Sequence, residues 1–327
     1  MTIVCLCALW WILVRSGEKM RASAIFGLGS TTRDLEPFQD GSAVAWHIGL
    51  PASGGEADAV VIFGGDGTLH RHLPQLVKLH LPVLMVPRGS GNDFARALGI
   101  ANFGQALAAW HRFCHAGGNS CLVDLGIVTE LPSELPNPPA ADAARSSDWV
   151  PHKTQYFACV GGVGLDAEIA RRANHLPRWV RSHGGYALTL PVALVKLRPR
   201  QTTISVPTEN RAGEFEPRYS QPTFLAAFAN TPVYGGGMRI APRAKMDDGR
   251  LDVCVIGKLK KLKLLSLFPS VYFGGHLLIP EVDCFQAERL RVETEGAANV
   301  FADGEYVCRT PVEIGVACKA LRVVRAP

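Results

Sequence analysis

Two glycine-rich segments in the first third of the chain have residue types that could bind a phosphate. GGDGT, residues 64–68, follows an apolar run at 60–63, and RGSGND, residues 88–93, follows another at 82–86. Glycine lets the backbone approach a ligand closely, so that its N–H groups can donate to phosphate oxygens. The carboxylate of Asp66 would repel a phosphate unless Mg²⁺, a ribose hydroxyl or water lay between them. Each segment on its own could also be only a tight turn with a helix cap.

Two acidic segments in the second half of the chain have residues suited to metal binding and proton transfer. KMDDGR occupies residues 245–250, and DGE occupies residues 303–305. A carboxylate at a turn can bind a divalent cation, and a carboxylate beside a substrate hydroxyl can accept its proton. The alternatives are an ordinary turn before a strand predicted at 251–256 and a hairpin signal at Asp303-Gly304.

The composition indicates two domains and anionic ligands. A chain of 327 residues is long for one domain and has enough apolar residues for two cores. Its formal net charge of +5 suits phosphates, anionic substrates or membrane surfaces. No nucleic-acid-binding motif occurs, so we expect no nucleic-acid partner. The nine cysteines lack CxxC or zinc-ligand spacing, which favours a reduced, cytoplasmic protein without a disulfide framework.

The N-terminal segment is strongly apolar but short. Residues 3–14 form a continuous apolar run of twelve residues, which is too short for an ordinary transmembrane helix. The run also lacks the basic start and the small-residue cleavage site of a signal peptide. A second methionine, Met20, opens the first predicted strand. We therefore predict that residues 1–19 are dispensable, and the alternative is a membrane-seeking anchor.

The pattern of residues 20–123 predicts a doubly wound α/β domain. Apolar strands are predicted at 22–26, 59–63 and 82–86, and helices at 93–98 and 104–114. A further helix is predicted from Leu69, and Pro74 within it is expected to delay its start or bend it. Strands that alternate with helices indicate a parallel sheet, in which ligands bind beyond the carboxyl ends of the strands. Both glycine-rich segments follow such strand ends.

From residue 124 to residue 327 the pattern is typical of a mainly β domain. Strands are predicted at 123–128, 156–160, 202–206, 223–229, 251–256, 289–293, 312–316 and 321–324. Helices are predicted near 166–174, 185–196 and 259–268. Turn residues separate the short strands, which indicates a largely antiparallel second domain.

Several motifs in order along the chain resemble the diacylglycerol kinase catalytic domain family. They are GGDGT, PRGSGNDFARALG, CLVDLG, YFACVGGVGLDAEIA, FANTPVYGGGMRIAPRAKMDDGRLDV and VFADGEYV, and they extend from about residue 20 to the C-terminus. The resemblance is to the bacterial lipid kinases of that family, which are related to sphingosine kinases and, more distantly, to NAD kinases. It implies a doubly wound α/β domain, then an antiparallel β-sandwich-like domain, with the active site in the cleft between them.

The resemblance also implies the activity, an ATP-dependent lipid kinase that uses Mg²⁺ and a diacylglycerol-like acceptor. The positions that match nucleotide-binding residues of the family are Gly64, Gly65, Asp66, Gly67, Thr68, Leu69, His70, Arg71, Gly89, Ser90, Asn92, Asp93 and Asp124. Three of these, Asp66, Asp93 and Asp124, match carboxylates that organise a metal and water network. Asp248 matches a Mg²⁺ ligand, with Lys245 and Arg250 contributing backbone carbonyls. Glu305 matches the general base, with Asp303 as its partner.

The chain departs from the family pattern at Arg71, where relatives usually carry glutamate. The reversed charge could add a phosphate contact or change the choice of nucleotide. Two alternatives to the lipid kinase therefore remain: an NAD kinase-like enzyme with a soluble acceptor, and a non-catalytic lipid-binding relative.

A basic segment predicts contact with a membrane. Lys258, Lys260, Lys261 and Lys263 precede a stretch rich in leucine and phenylalanine, as expected of an element that touches an anionic surface. At about 1 kcal/mol per lysine, such binding would be reversible. The alternative is a solvated helix packed on the core. We expect a lipid substrate, a peripheral association with an anionic membrane and a cytoplasmic location. A homodimer is a further expectation, for which no residue pattern locates an interface.

Overall fold

The computed structural model describes residues 19–39, 44–116, 118–132, 154–165, 168–169, 198–208 and 213–326. These residues form two compact units. The first comprises the described parts of Met1–Asp124, Gly235–Gly237 and Cys318–Pro327, and the second comprises the described parts of Leu125–Tyr234 and Met238–Ala317. The predicted apolar segment at 3–14 and the predicted helix at 185–196 lie outside the described residues, as does most of the helix predicted at 166–174.

The first unit contains a parallel sheet. Its strands are β1 (Met20–Phe26), β2 (Val44–Ile48), β3 (Ala59–Gly64) and β4 (Val83–Pro87), in the order β4-β3-β1-β2. Every residue of β3 is buried, as expected of a parallel strand that is covered on both faces. The end of the C-terminal strand pairs in parallel with β4 through Val323 and Val83. The predicted parallel α/β arrangement is therefore confirmed, while β2 was not predicted.

Helices of the first unit follow the strands. They are α1 (Glu36–Gln39), α2 (Asp66–Leu79), α3 (Asp93–Ala97) and α4 (Phe103–Ala116). The sequence suggested a helix from Leu69 that Pro74 delays or bends. The helix instead begins at Asp66 and continues through Pro74, which is exposed on its outer side. Leu69, Leu73 and Leu76 lie on the opposite face and are buried in the core.

The second unit is built from antiparallel strands. They are β5 (Ser120–Glu130), β6 (Thr154–Phe157), β7 (Val160–Gly164), β8 (Arg200–Pro207), β9 (Phe215–Ala229), β10 (Leu251–Gly257), β11 (Val282–Ala287), β12 (Arg289–Thr294), β13 (Asn299–Ala302), β14 (Glu305–Arg309) and β15 (Val312–Val324). β5 begins in the first unit, and β15 ends there. The first part of the long strand β9 pairs with β8, and its last part pairs with both β7 and β10. A core that includes Phe157, Phe228 and Leu290 is buried between the strands. The predicted sandwich-like β domain is confirmed.

Two predictions in the second half of the chain are corrected, and one strand there was not predicted. The strands predicted at 312–316 and 321–324 are one continuous strand, β15, which passes through Lys319 in a left-handed conformation with φ of 53°. The strand β11 was not predicted. The helix predicted at 259–268 is the shorter α5 (Lys261–Leu267), followed by 3-10 turns at Phe268–Phe273 and Gly275–Leu278. None of the helices in the described parts of the chain is long and apolar enough to cross a membrane.

Candidate functional site

The first glycine loop joins β3 to α2. Gly65 is the N-cap of α2, and Asp66 is its first helical residue. Gly64 has no room for a side chain, because a Cβ there would lie 2.7 Å from Thr68 Oγ1. The first N–H groups of a helix have no partner within the helix and carry the positive end of its dipole. The start of α2 therefore offers anion-binding N–H groups where the sequence predicts phosphate binding.

The second glycine loop joins β4 to α3 and lies directly against the first. A Cβ on Gly65 would lie 2.8 Å from Gly89 Cα, and a Cβ on Gly89 would lie 2.6 Å from Gly65 Cα. Asn92 closes the second loop, because its Oδ1 accepts from Gly89 N at 2.8 Å and its Nδ2 donates to Gly89 O at 2.7 Å. The two loops thus form one continuous backbone surface, which only glycine permits at the point of contact.

Asp66 links the two loops through hydrogen bonds. Its Oδ2 accepts from Asp93 N at 3.0 Å, and its Oδ1 accepts from Phe94 N at 3.0 Å. Hydrogen bonds to a charged group contribute about 1.5–3 kcal/mol each. Asp66 therefore holds the start of α3 against the first loop, which gives this carboxylate a role in shaping the site.

Asp93 and Asp124 each bind a backbone N–H that is distant in sequence. The buried Asp93 accepts from Gly236 N at 3.0 Å and from Arg96 Nη1 at 3.3 Å. Burial raises the pKa of Asp93, while the hydrogen bond from Gly236 and the charge of Arg96 act in the opposite direction. Asp124 is also buried, and its Oδ1 accepts from Lys319 N at 2.6 Å. The two carboxylates attach separate chain segments to the first unit.

These three carboxylates do not form a metal centre by themselves. The described residues contain no group of three or more His, Cys, Asp or Glu side chains that could hold a metal. Mg²⁺ usually keeps several waters and binds through one or two carboxylates together with substrate phosphates. The arrangement around Asp66 and Asp93 fits a Mg²⁺ ion only if phosphate and water oxygens complete its coordination.

The remaining predicted nucleotide-binding residues differ in exposure. Gly67, Thr68 and His70 are partly exposed, and Arg71 and Ser90 are exposed. Leu69 is buried, with 1% of its surface exposed, so only its backbone can contribute to binding. Arg71 provides a positive charge on the first turns of α2. The pKa of the neighbouring His72 is lowered by burial and, to a smaller extent, by this charge.

An ion pair that no sequence pattern predicts supports the second loop. Arg88 Nη2 lies 2.5 Å from Asp34 Oδ1, and the guanidinium carbon lies 4.5 Å from the centre of the Phe103 ring. These contacts fix Arg88 at the end of β4. The partners are 54 residues apart, and no local pattern relates them.

In the second unit, the DGE segment forms a two-residue hairpin turn between β13 and β14. Ala302 pairs with Glu305, and the two turn residues, Asp303 and Gly304, have φ of 51° and 81°. These angles are those of a type I′ turn, which favours Asp-Gly. The predicted hairpin is confirmed, and Glu305 lies exposed at the start of β14.

Asp303 binds the turn between β6 and β7. Its Oδ2 accepts from Ala158 N at 2.8 Å, and its Oδ1 accepts from Cys159 N at 2.8 Å. Both carboxylate oxygens are engaged by backbone donors, so Asp303 fixes the turn that carries Glu305. This geometry makes Asp303 a positioning residue.

The predicted metal turn at residues 245–250 lies at the surface, with Met246 as its buried residue. Asp248 Oδ1 accepts from Arg250 N at 3.1 Å, and Gly249 has a left-handed φ of 74°. Lys245, Asp248 and Arg250 are all exposed. One carboxylate with backbone carbonyls and water fits a weakly held Mg²⁺ ion. The assignment of a metal to this turn stays a prediction.

Comparison with known proteins identifies the family. Residues 33–125 match the diacylglycerol kinase catalytic domain, and residues 159–325 match the YegS C-terminal NAD kinase beta sandwich-like domain. A diacylglycerol kinase of Mycobacterium tuberculosis is 31% identical over 282 residues, which cover 86% of this chain and 81% of that protein. A diacylglycerol kinase of Bacillus subtilis is 25% identical over 271 residues, which cover 82% and 78% of the two chains.

A solved structure shares the fold. The crystal structure of a diacylglycerol kinase from Bacillus anthracis superposes with a TM-score of 0.61 at 17% identity, covering 95% of this chain and 99% of the other. With both domains matched in order, the fold is that of a two-domain kinase. The chain belongs to the diacylglycerol kinase and YegS-like lipid kinase family.

Proposed function

We propose that the protein is an ATP-dependent lipid kinase that transfers the γ-phosphoryl group of ATP to the hydroxyl of a diacylglycerol-like lipid. The observation that carries the proposal is the contact between the two glycine loops, where Gly65 and Gly89 face each other without side chains. Backbone N–H groups and the start of α2 supply donors for a triphosphate. Asp66 holds this surface in shape before the nucleotide binds, because both of its oxygens accept from α3.

Phosphoryl transfer requires little covalent chemistry from the protein. The acceptor oxygen must lie in line with the γ-phosphorus, and positive charge must stabilise the equatorial oxygens. A bound Mg²⁺ supplies part of that charge, with Asp66, Asp93 or Asp248 as the carboxylates that would hold it. Arg71, exposed on the first turns of α2, supplies a positive charge from the chain itself.

We assign Glu305 as the general base, the group that accepts the proton of the acceptor hydroxyl. Its carboxylate is exposed at the start of β14 and can take up a proton late in the transfer. Asp303 keeps the hairpin in place through Ala158 N and Cys159 N. The base therefore lies on a rigid turn, which limits the loss of entropy on reaching a reactive geometry.

An apolar cavity in the second unit supports a lipid acceptor. Its lining is almost entirely aliphatic and aromatic, and includes Leu225, Met238, Ile256, Leu264 and Ile279. The cavity is narrow, with about 40 Å³ of free volume. Its lining residues would therefore have to move apart before an acyl chain could enter. α5 and the two 3-10 turns that follow it form one side and are the elements that would move. A soluble, polar acceptor such as NAD would gain nothing from such a lining.

The outer surface of the same elements supports contact with a membrane. Leu262, Phe273 and Leu278 are 81%, 85% and 88% exposed, although such side chains are usually buried. Leu262 lies between Lys261 and Lys263 of the basic segment, and Lys263 pairs with Glu281 at 2.6 Å. Apolar side chains beside lysines suit the interface of an anionic bilayer. We propose that this face binds the membrane from which the substrate is taken.

Filling the apolar cavity should weaken lipid use. For Ile279→Trp, we expect the KM for diacylglycerol to rise by about tenfold, equivalent to about 1.4 kcal/mol, because the cavity has no spare volume for the indole. The matched control is Leu278→Trp, since this neighbour is exposed and stays apolar after the change. Kinetics in mixed micelles would measure both variants. An equal effect in the two variants would contradict the role of the cavity.

Placing a charge on the outer surface should reduce membrane binding. For Phe273→Asp, we expect binding to anionic vesicles to fall by about tenfold, because one apolar side chain no longer enters the interface. Ile48→Asp is the control, because Ile48 is 59% exposed in the first unit. Vesicle sedimentation at low and high salt measures both variants. Binding that is unchanged in Phe273→Asp, or reduced as much in Ile48→Asp, would rule out this face.

The proposed function is tested by offering labelled ATP and Mg²⁺ with either diacylglycerol micelles or NAD. We expect label in the lipid fraction alone. Transfer to NAD without lipid would establish the NAD kinase-like alternative. A protein that is not stabilised by millimolar ATP and Mg²⁺ in a thermal-shift titration would be a non-catalytic lipid-binding relative.

A further inference from the structure

Two cysteines lie directly opposite each other on neighbouring antiparallel strands of the second unit. Cys254 of β10 pairs in register with Cys284 of β11. Among the described strands, β11 pairs only with β10 and is therefore an edge of the sheet. Residues directly opposite in an antiparallel pair have their side chains on the same face.

The backbone spacing of this pair suits a disulfide. Directly opposite residues have Cα atoms about 4.5–5.5 Å apart. Disulfides form across Cα separations of about 4.4–6.8 Å. A hydrogen bond between the two thiols is also the largest cause of the pKa shift of each, as expected of neighbouring side chains on one face. A bond between the sulfurs therefore needs side-chain rotation rather than movement of the strands.

The two thiols differ in access and in acidity. Cys254 is buried, with 1% of its surface exposed, whereas Cys284 is exposed. The hydrogen bond from Cys254 lowers the pKa of Cys284, and the charge of Arg243 acts in the same direction. Partial removal of the Cys284 thiol from water and the charges of Asp283 and Asp252 oppose this effect on the pKa. The same hydrogen bond, together with burial, raises the pKa of Cys254. Cys284 is therefore the thiol that an external reagent reaches as a thiolate.

We propose that Cys254 and Cys284 form a reversible dithiol–disulfide site that reacts with low-molecular-weight disulfides. The Cys284 thiolate attacks one sulfur of the external disulfide, which leaves a mixed disulfide and releases one external thiolate. Cys254 then loses its proton and attacks Cys284 Sγ, which releases the second external thiolate. In sum, two protein thiols are oxidised to one disulfide, and one external disulfide is reduced to two thiols.

The pair lies beside the apolar cavity. Ile256 and Val282 line that cavity, and each is two residues from one of the cysteines on the same strand. Side chains two residues apart on a strand share a face. The disulfide would fasten the edge strand to β10 at this wall. The thiol chemistry itself does not depend on the substrate of the enzyme.

Oxidation of the full-length protein with glutathione disulfide tests the proposal. We expect the wild-type protein to lose two alkylatable thiols and to yield a Cys254–Cys284 cross-linked peptide, both reversed by dithiothreitol. In Cys254→Ala, the glutathione adduct should accumulate on Cys284, because the second step is blocked. In Cys284→Ser, Cys254 should acquire no adduct, because its thiol is buried.

A measurement on the wild-type protein tests the proposal even if a variant does not fold. Timed alkylation of the reduced protein, followed by peptide mapping, should modify Cys284 at least about tenfold faster than Cys254. A cross-link between other cysteines, no cross-link at all, or equal alkylation rates would overturn the proposal. The proposal would also be overturned if the Cys254→Ala protein folded but formed no glutathione adduct on Cys284.

Discussion

Replacing Glu305 with glutamine is expected to lower the rate of phosphoryl transfer by about 10²–10⁴-fold, the usual contribution of a general acid or base. Glutamine has nearly the same shape but cannot accept the hydroxyl proton. The residue is exposed and its side chain is not part of the core, so we expect the stability of the protein to be unchanged. ATP affinity should also be unchanged, because the nucleotide is assigned to the glycine loops. Single-turnover kinetics with saturating ATP measures the effect.

The control for this variant is Glu293→Gln. Glu293 is an exposed glutamate on β12, in the same unit. It tests whether the loss of one negative charge from the second unit is enough to slow the reaction. We expect a rate within a factor of about two of wild type, as for a surface change. A Glu305→Gln protein with an undiminished rate would remove Glu305 from the mechanism.

Replacing Gly89 with alanine is expected to abolish ATP binding in the millimolar range. The new Cβ would lie 2.6 Å from Gly65 Cα and 2.9 Å from Asn92 Oδ1. Neither neighbour is the free end of a flexible side chain, because one is backbone and the other is hydrogen-bonded to Gly89 itself. The two loops must therefore separate, and the N–H groups no longer converge on one phosphate chain. Calorimetric titration with ATP and Mg²⁺ measures the loss.

Gly104→Ala is the matched control for Gly89→Ala. Gly104 lies in α4 of the same unit, and its nearest neighbour to a new Cβ is Asn102 Oδ1 at 3.5 Å, an ordinary contact. Alanine is favoured over glycine in helices by about 1 kcal/mol. We expect this variant to bind ATP normally and to be at least as stable as wild type. Normal ATP binding by Gly89→Ala would contradict the assignment of the nucleotide to the paired loops.

The parts of the site that could be predicted from the sequence are those with local patterns. An apolar run, then glycines, then a polar residue marks the end of a buried parallel strand and the start of a helix. That pattern located both glycine loops, at β3 and β4. Asp303-Gly304 likewise marked a two-residue hairpin, because few residues other than Asp, Asn and Gly adopt both of its left-handed conformations.

The parts that could not be predicted depend on contacts between distant residues. The hydrogen bond between Asp93 and Gly236 N spans 143 residues, and that between Asp124 and Lys319 N spans 195 residues. Burial of a carboxylate indicates that it has a partner, yet the sequence does not say which backbone N–H it finds. The roles of these carboxylates in joining chain segments were therefore visible only in the structure.

Errors at element boundaries also have physical causes. Pro74 was expected to delay or bend α2, but proline is tolerated where tertiary packing of the opposite leucine face holds the helix. β15 was predicted as two strands because a polar break at Lys319 separates two apolar runs, whereas one left-handed residue allows the strand to continue. β11 was missed because an edge strand contacts the core with only part of its surface and shows weaker alternation.

The most direct test of the central claim is mass spectrometry of a total bacterial lipid extract after incubation with the protein, ATP and Mg²⁺. We expect a diacylglycerol-like lipid to gain one phosphoryl group with the wild-type protein, and no such product with Glu305→Gln. An extract in which no lipid gains a phosphoryl group, although the protein binds ATP, would contradict the claim that the chain is a lipid kinase.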